Sequence, residues 1–333
     1  DDCADLAKSP CILGRFAEML PAAGLVGEER AAKLIYLCAT SRLLKRPVSA
    51  AVKGPSSAGK SHVTGCVLSF FPPSAYHAIT AMSERSLAYS DEPLKHRMLV
   101  LYEAAGIQGE LASYLIRSLL SEGRVRYETV EKTAQGLRPR VIEREGPTGL
   151  LVTTTAIRLH GEIETRIFSI PVSDSPEQTR HVLEALAAEQ KTAIDLRPWH
   201  ALQEWLDLAE RDVTIPFARA LAMSMPAVAV RLRRDFGAVL NLVRAHALLH
   251  QARRSRDEQG RIVAALDDYA AVRDLVGDLI AEGVQSAVPP AMRESIRSSG
   301  PLTARPPISG LTATQGTRRA ATASRISRTA RLG

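Results

Sequence analysis

Nothing in these 333 residues is long and apolar enough to cross a bilayer. The best candidate, Leu221 to Val230, stops at a run of arginines well short of the roughly 20 residues that a spanning helix needs. No signal-peptide pattern follows Asp1, so the chain reads as cytoplasmic, and the missing initiator Met is compatible with a fragment. Cysteine is scarce. The four residues Cys3, Cys11, Cys38 and Cys66 form no C-x-x-C pair and no Cys/His set at zinc spacing. Cys38 and Cys66 sit in apolar helical patterns, where a thiol acts as a small buried hydrophobe, so reduced structural cysteines are expected. Internal repeats are absent, and acidic residues are absent from Ser295 onward. Those last residues hold seven arginines, which leaves 36 basic residues against 36 acidic ones in the rest of the chain. The net charge of +7 therefore belongs to the tail. The tail's Ser, Thr, Ala, Pro and Gly cannot bury a core, which predicts a disordered basic arm that is either solvated or bound non-specifically to nucleic acid.

What is present is ordinary for a soluble protein: 45% hydrophobic and 24% charged residues, in a chain long enough for two domains. Ala31, Leu34, Ile35, Cys38 and Leu43 lie close to helical spacing and predict an amphipathic helix over 28–44. "RPVSAAVKG" reads as a buried strand and "GKSHVTGCVLSFF" as a helix that Pro72 and Pro73 stop. "HRMLVLYE" is a second strand, and "ELASYLIRSLLSEG" a helix closed by Gly123. "RVRYETVEKTAQGLRPRVIERE" alternates like a hairpin with its turn near Gln135-Gly136, and "GLLVTTTAI" and "TRIFSIPV" are further strands. After Asp174 the pattern turns helical, which predicts an α/β nucleotide-binding domain followed by an α-helical lid.

The most specific stretch is "GPSSAGKS", Gly54 to Ser61, in the spacing G-x-x-x-x-G-K-S. Its glycines let the main chain wrap a phosphate, and the helix that follows offers its positive N-terminal end. Gly54, Pro55, Ser56, Ser57, Ala58 and Gly59 are the candidate cradle. Lys60 is the candidate for the β- and γ-phosphates of ATP, and Ser61 the candidate Mg²⁺ ligand. Hydrolysis needs an acid beside the phosphates, and "MLVLYE" runs into Glu103 at a strand end, where ligands of open α/β sheets sit. Glu103 is the candidate water-activating base. Tyr102 stands where many P-loop enzymes carry a first acid, and Asp91 and Glu92 are too far upstream to assign to the metal.

The motif order over residues 30 to 290 resembles the AAA+ ATPases, within them the MCM-like helicases and their mobile-element relatives. "SRLLKRPVSAAVKGPSSAGKS" and "VLYEAAG" are also similar to segments of uncharacterised ATPases of phages and integrated elements. The resemblance implies a lead-in over 1–28, an AAA+ core with a parallel sheet over 29–175, a helical lid over 176–290 and the basic tail over 291–333. It makes the hairpin a pore element, with Lys132, Arg138 and Arg140 as DNA-contact candidates balanced by Glu128 and Glu131. It makes Thr155 the sensor 1 residue, where the family usually has Asn, and Arg166 in "ETRIFSI" the arginine finger. Arg234 in "RRDFGAVLNLVRAHA" takes the sensor 2 position, with Arg231 and Arg233 as rivals. The implied function is an ATP-driven homo-oligomeric ring, a hexamer in the family, that translocates on DNA in replication of a mobile element alongside replication partners. The competing readings are an ATP-gated loader or scaffold for a protein partner and a small-molecule P-loop kinase.

Overall fold

The computed structural model describes residues 2–81, 83–103, 109–134, 136–155, 166–188, 194–225 and 232–287. The expected basic tail, Gln135, Arg231 and the Ala104–Gly106 part of "VLYEAAG" lie outside the described residues.

Helices α1 (Ala4–Ala7), α2 (Ile12–Met19) and α3 (Glu29–Thr40) precede strand β1 (Ala50–Lys53), which leads through a loop into α4 (Lys60–Ser69). Next come β2 (Tyr76–Ile79), the single turn α5 (Ser86–Tyr89), β3 (Arg97–Leu101) and α6 (Glu110–Glu122). A hairpin of β4 (Arg124–Thr133) and β5 (Gly136–Glu145) follows, then β6 (Thr148–Thr154) and β7 (Phe168–Pro171). The remainder is mostly helical: α7 (Pro176–Ala187), α8 (Arg197–Leu208), α9 (Ala218–Ser224), α10 (Leu232–Leu249) and α11 (Leu266–Ala287). Two short parallel strands, β8 (Val213–Thr214) and β9 (Ile262–Val263), tie that region together.

Five strands form one parallel sheet in the order β2-β3-β6-β1-β7. Parallel strands covered on both faces read as unbroken apolar runs rather than alternating ones. Ala50, Val52, Met98, Val100 and Leu151 join the core with α3 and α4 on one face. Ala51, Leu99, Leu101, Leu150 and Val152 pack with α5 and α6 on the other. Strand β6 enters between β1 and β3, so the end of the phosphate-loop strand and the end of the "MLVLYE" strand are both its neighbours.

The expected amphipathic helix is corrected by the structure. From Ala31 to Thr40 every α3 residue except Lys33 is buried. The sheet and α4 cover one side of α3, and α10 and α11 cover the other, so only Glu29, Arg30 and Lys33 near its start reach solvent. The first 28 residues, read as a lead-in, hold two helices whose Ile12, Phe16 and Leu20 are fully buried. Phe16 stands at the centre of an aromatic knot, 4.6 Å from the Tyr36 ring, 4.8 Å from Phe70 and 5.9 Å from Trp199. Such tilted and edge-on contacts add to the area each ring buries. Trp199, Leu242, Val243 and Val272 of the helical region share this core with the sheet, and residues 1–289 form one compact unit.

Candidate functional site

The loop from Gly54 to Gly59 leaves the C-terminal edge of the sheet and closes on itself. The Gly54 N–H donates to the Thr154 carbonyl at 3.4 Å. The Val172 carbonyl oxygen lies 3.4 Å from where a Cβ on Gly54 would stand, which places the end of β7 beside the loop. Ser57 and Gly59 take left-handed backbone angles (φ 66° and 82°) that turn the chain into α4. Lys60 opens that helix, is 9% exposed, and folds its Nζ back to the Pro55 carbonyl at 2.6 Å. Ser61 is exposed on the same first turn. A Cβ on Gly59 would meet nothing within 4 Å, so the space before the helix end is open. A curled backbone, a helix N-terminus and an ammonium held by a loop carbonyl fit a phosphate chain.

Glu103 lies at the same edge, two residues past β3. Its N–H donates to Thr153 Oγ1 at 2.9 Å, while the neighbouring Thr154 carbonyl holds Gly54. Consecutive residues of β6 thus hold the phosphate loop and the acid. With strands about 4.8 Å apart, the two lie roughly 10 Å from each other across one intervening strand. Glu103 itself has φ 73°, a strained value for a non-glycine residue. Tyr102 is half-buried against the core, its hydroxyl 3.9 Å from where a Gly65 Cβ would stand on α4, and burial raises its pKa. Thr155 is exposed on a bend one residue past the end of β6. Thr153, buried and bonded to Glu103, is the residue that sequence reasoning missed. Its signal was the run Thr153-Thr154-Thr155, in which pattern alone does not select the member that faces β3.

Arg166 stands two residues before β7, at the N-terminal edge of the sheet, opposite the phosphate loop. Its Nε donates to Ser121 Oγ at 2.8 Å, in the last turn of α6. Partial burial, and then the like charges of Arg234 and Arg117, lower the Arg166 pKa. Arg234, in the first turn of α10, is therefore close to Arg166.

The hairpin divides its three candidates between two faces. Lys132 pairs with Leu137 and lies with Val130 and Val141, which are 63% and 46% exposed. Arg138 and Arg140 lie on the opposite face, where Arg140 is ion-paired to Glu131 at 3.1 Å. The other side of the phosphate helix is walled by residues 23–28, a second element that sequence reasoning missed. His62 Nε2 donates to the Gly24 carbonyl at 2.9 Å, Gln178 Nε2 to the Val26 carbonyl at 2.7 Å, and the Ser173 N–H to Glu28 Oε1 at 2.8 Å.

Among the described residues, His246, His250 and Asp268 place possible metal-ligand atoms within 4.8 Å of one another. Two of the three are already engaged as acceptors. His250 Nε2 accepts from the Ile12 N–H at 3.2 Å, and Asp268 accepts from His246 Nδ1 and from two Arg254 nitrogens. This is a structural network that joins α2, α10 and α11.

Residues 20–204, more than half of the chain, match the MTBMA_p00010 P-loop domain family. The chain belongs to that family. The match begins in the segment that walls α4, spans all five strands of the sheet and ends in α8. No curated protein matches the chain. As a member of the MTBMA_p00010 P-loop domain family it is a nucleotide-binding protein of the P-loop NTPase class, whose domains generally bind their nucleotide with Mg²⁺. Among the described residues no helix is long and apolar enough to cross a membrane.

Proposed function

We propose that this P-loop protein hydrolyses ATP in a homo-oligomeric AAA+-type ring whose subunits share active sites, and that the ring works on DNA in replication of a mobile element. The observation that carries the reading is the placement of Arg166. It sits at the edge of the sheet opposite its own phosphate loop, and an arginine side chain is too short to cross four strand residues and the loop beyond them. This supports a role for Arg166, with Arg234 beside it, at a neighbour's nucleotide rather than its own.

In this reading Lys60 and the Gly54–Gly59 amides hold the phosphates, Ser61 holds the metal, and Glu103 orients a water and takes its proton. Bound Mg²⁺ supplies charge neutralisation at the phosphates. Thr153 positions Glu103 through its backbone, and Thr155 sits at the open edge beside it. Arg166 and Arg234 of the adjacent subunit stabilise developing charge. Lys132 and Arg138 at the hairpin tip touch the DNA backbone. Arg140, held by Glu131, contributes less. The exposed Val130, Leu137 and Val141 favour a second reading, an ATP-gated loader whose hairpin grips a protein partner.

Mixing inactive subunits tests the shared site. Lys60→Ala and Arg166→Ala should each lower kcat on the order of 10³-fold as pure preparations. Mixed together they should recover activity, because one contributes an intact phosphate loop and the other an intact arginine. Failure to recover sinks the shared site. In the same assay single-stranded DNA should stimulate turnover, and Lys132→Glu with Arg138→Glu should abolish the stimulation. Stimulation that survives both reversals favours the loader.

A further inference from the structure

The hairpin of β4 and β5 turns its two faces to different surroundings. In an antiparallel pair, residues opposite each other share a face, and the face alternates along the strand. One face carries Val125, Tyr127, Ile142 and Arg144 at its root and is turned toward the body of the chain. Val125 is fully buried, the Tyr127 ring meets Tyr89 edge-on at 6.3 Å, and Arg144 donates to the carbonyls of Ser90 and Glu92. The other face therefore points away from the body. It carries the pairs Glu128–Val141, Val130–Pro139 and Lys132–Leu137, and all six of these residues are exposed.

Leu137, Pro139 and Val141 lie in a row on β5, and Val130 stands across from the middle one, so the four form one apolar patch. Leu137 is 74% exposed. A two-stranded ribbon is marginal in water by itself, and such a patch on it calls for a cover. The charges beside the patch say which cover fits. Elsewhere on the hairpin Arg126 pairs with Glu143 at 3.4 Å, Arg140 with Glu131 at 3.1 Å and Glu145 with Lys95 at 3.3 Å. Among the described residues Glu128 and Lys132 make no ion pair. They flank Val130 at two residues on either side, about 13 Å apart and opposite in sign.

A two-fold axis laid across the strands through Val130 and Pro139 exchanges those two charges. A second hairpin turned over by that axis brings its Lys132 above Glu128 and its Glu128 above Lys132. The same operation sets Val130 on Val130, Pro139 on Pro139 and Leu137 on Val141. The face is therefore complementary to itself in both charge and apolar pattern. A nucleic-acid backbone would be repelled by Glu128 and gain nothing from the apolar row. We propose that this face pairs with the same face of a second copy, the two hairpins stacked antiparallel about that axis. The contact uses no nucleotide and is much smaller than a standard interface, so it is weak and depends on concentration. Arg138 stays outward on the other face, and the pairing competes with DNA for Lys132.

Sedimentation equilibrium of the full chain tests it, without nucleotide or DNA and over a wide range of concentration. Without nucleotide nothing bridges Arg166 to a neighbour's phosphates, so the shared-site contact does not mask the pairing. The wild type should self-associate. Glu128→Lys and Lys132→Glu each set like charges together twice across the axis, and each should raise the dissociation constant about tenfold. Both positions are exposed, so both variants should melt like the wild type. The double variant Glu128→Lys/Lys132→Glu restores the match and should associate like the wild type. An equal mixture of the two single variants should associate more tightly than either alone. A wild type that stays monomeric overturns the proposal and leaves the face to a different protein. Single variants that associate like the wild type also overturn it, as does a double variant no tighter than the singles. Mixing Lys60→Ala with Arg166→Ala reports the shared site separately, so either idea can fail without the other.

Discussion

At the scale of single residues, strain gathers at the phosphate-loop edge of the sheet. Among the described residues, the non-glycine positions with positive φ are Ser57, His96 and Glu103. Ser57 belongs to the phosphate loop, Glu103 to the strand end beside it, and His96 to the turn that enters β3 at the opposite edge. A left-handed backbone costs a residue with a Cβ about 1–2 kcal/mol, and such strain persists only where the surroundings over-determine it. At Glu103 the hold is the Thr153 hydroxyl, which fixes the N–H and hence the direction of the carboxylate. Glycine at this position would relieve the strain, and alanine would keep it. Glu103→Gly should therefore be about 1 kcal/mol more stable than Glu103→Ala in urea melts, with neither variant turning over ATP. Equal stability of the two would mean that the loop relaxes once the carboxylate is gone.

At the scale of elements, four of the five sheet strands and the phosphate helix were legible because their patterns are local, whereas the edge strand β2 (Tyr76–Ile79) is too short and too little buried to be read. An apolar run, a Gly-rich loop and a Pro pair each name an element within about ten residues. The hairpin was legible for the same reason, as was the Gly123 stop of α6, which is left-handed at φ 72°. What stayed illegible depends on tertiary neighbours. Residues 4–19 carry too short an apolar pattern to declare that Ile12 and Phe16 are central. The 3.6-residue periodicity of α3 shows its most apolar face but not that the opposite face is covered as well. The choice of Thr153 over Thr155 needs the register of β6 against β3. A further device invisible in sequence is His250, whose Nε2 must stay unprotonated to accept the Ile12 N–H that joins α2 to α10. Burial, and then the charge of His246, lower its pKa from 6.5 to about 4. The unfolded chain takes up the proton more readily, so the stabilisation is complete above pH 6.5 and is lost as the pH falls toward 4. Urea midpoints should report a loss of about 2 kcal/mol between pH 7 and pH 5 from this group. His250→Gln should flatten that slope. Asp268 enters lower down. Burial alone would raise it, but hydrogen bonds from His246, Arg254 and the Ala265 N–H hold it at about 2, so its share disappears only as the pH falls from about 4 toward 2.

At the scale of the whole molecule, a boundary near residue 175 and a shared core make different demands. The change from alternating strands and helices to helices alone suggests a lid that folds apart from the sheet. The aromatic knot opposes this, because Phe16 of α2, Tyr36 of α3, Phe70 after α4 and Trp199 of α8 interlock with ring centroids 4.6 to 6.0 Å apart. No cut near residue 175 leaves that knot intact. The chain's two tryptophans, Trp199 and Trp205, both lie on α8, so their emission reports the helical region while far-UV circular dichroism reports the whole chain. If the core is shared, the two signals follow one denaturant transition. Trp199→Ala should then cost about 3–5 kcal/mol, a large part of the 5–15 kcal/mol that holds a typical domain together. That loss should shift the joint transition as a unit and weaken ATP binding with it, since α4 carries Lys60 at one end and leads into Phe70 at the other. An emission transition that separates from the dichroism, with ATP binding untouched in Trp199→Ala, would instead establish a helical region that folds independently of the phosphate loop.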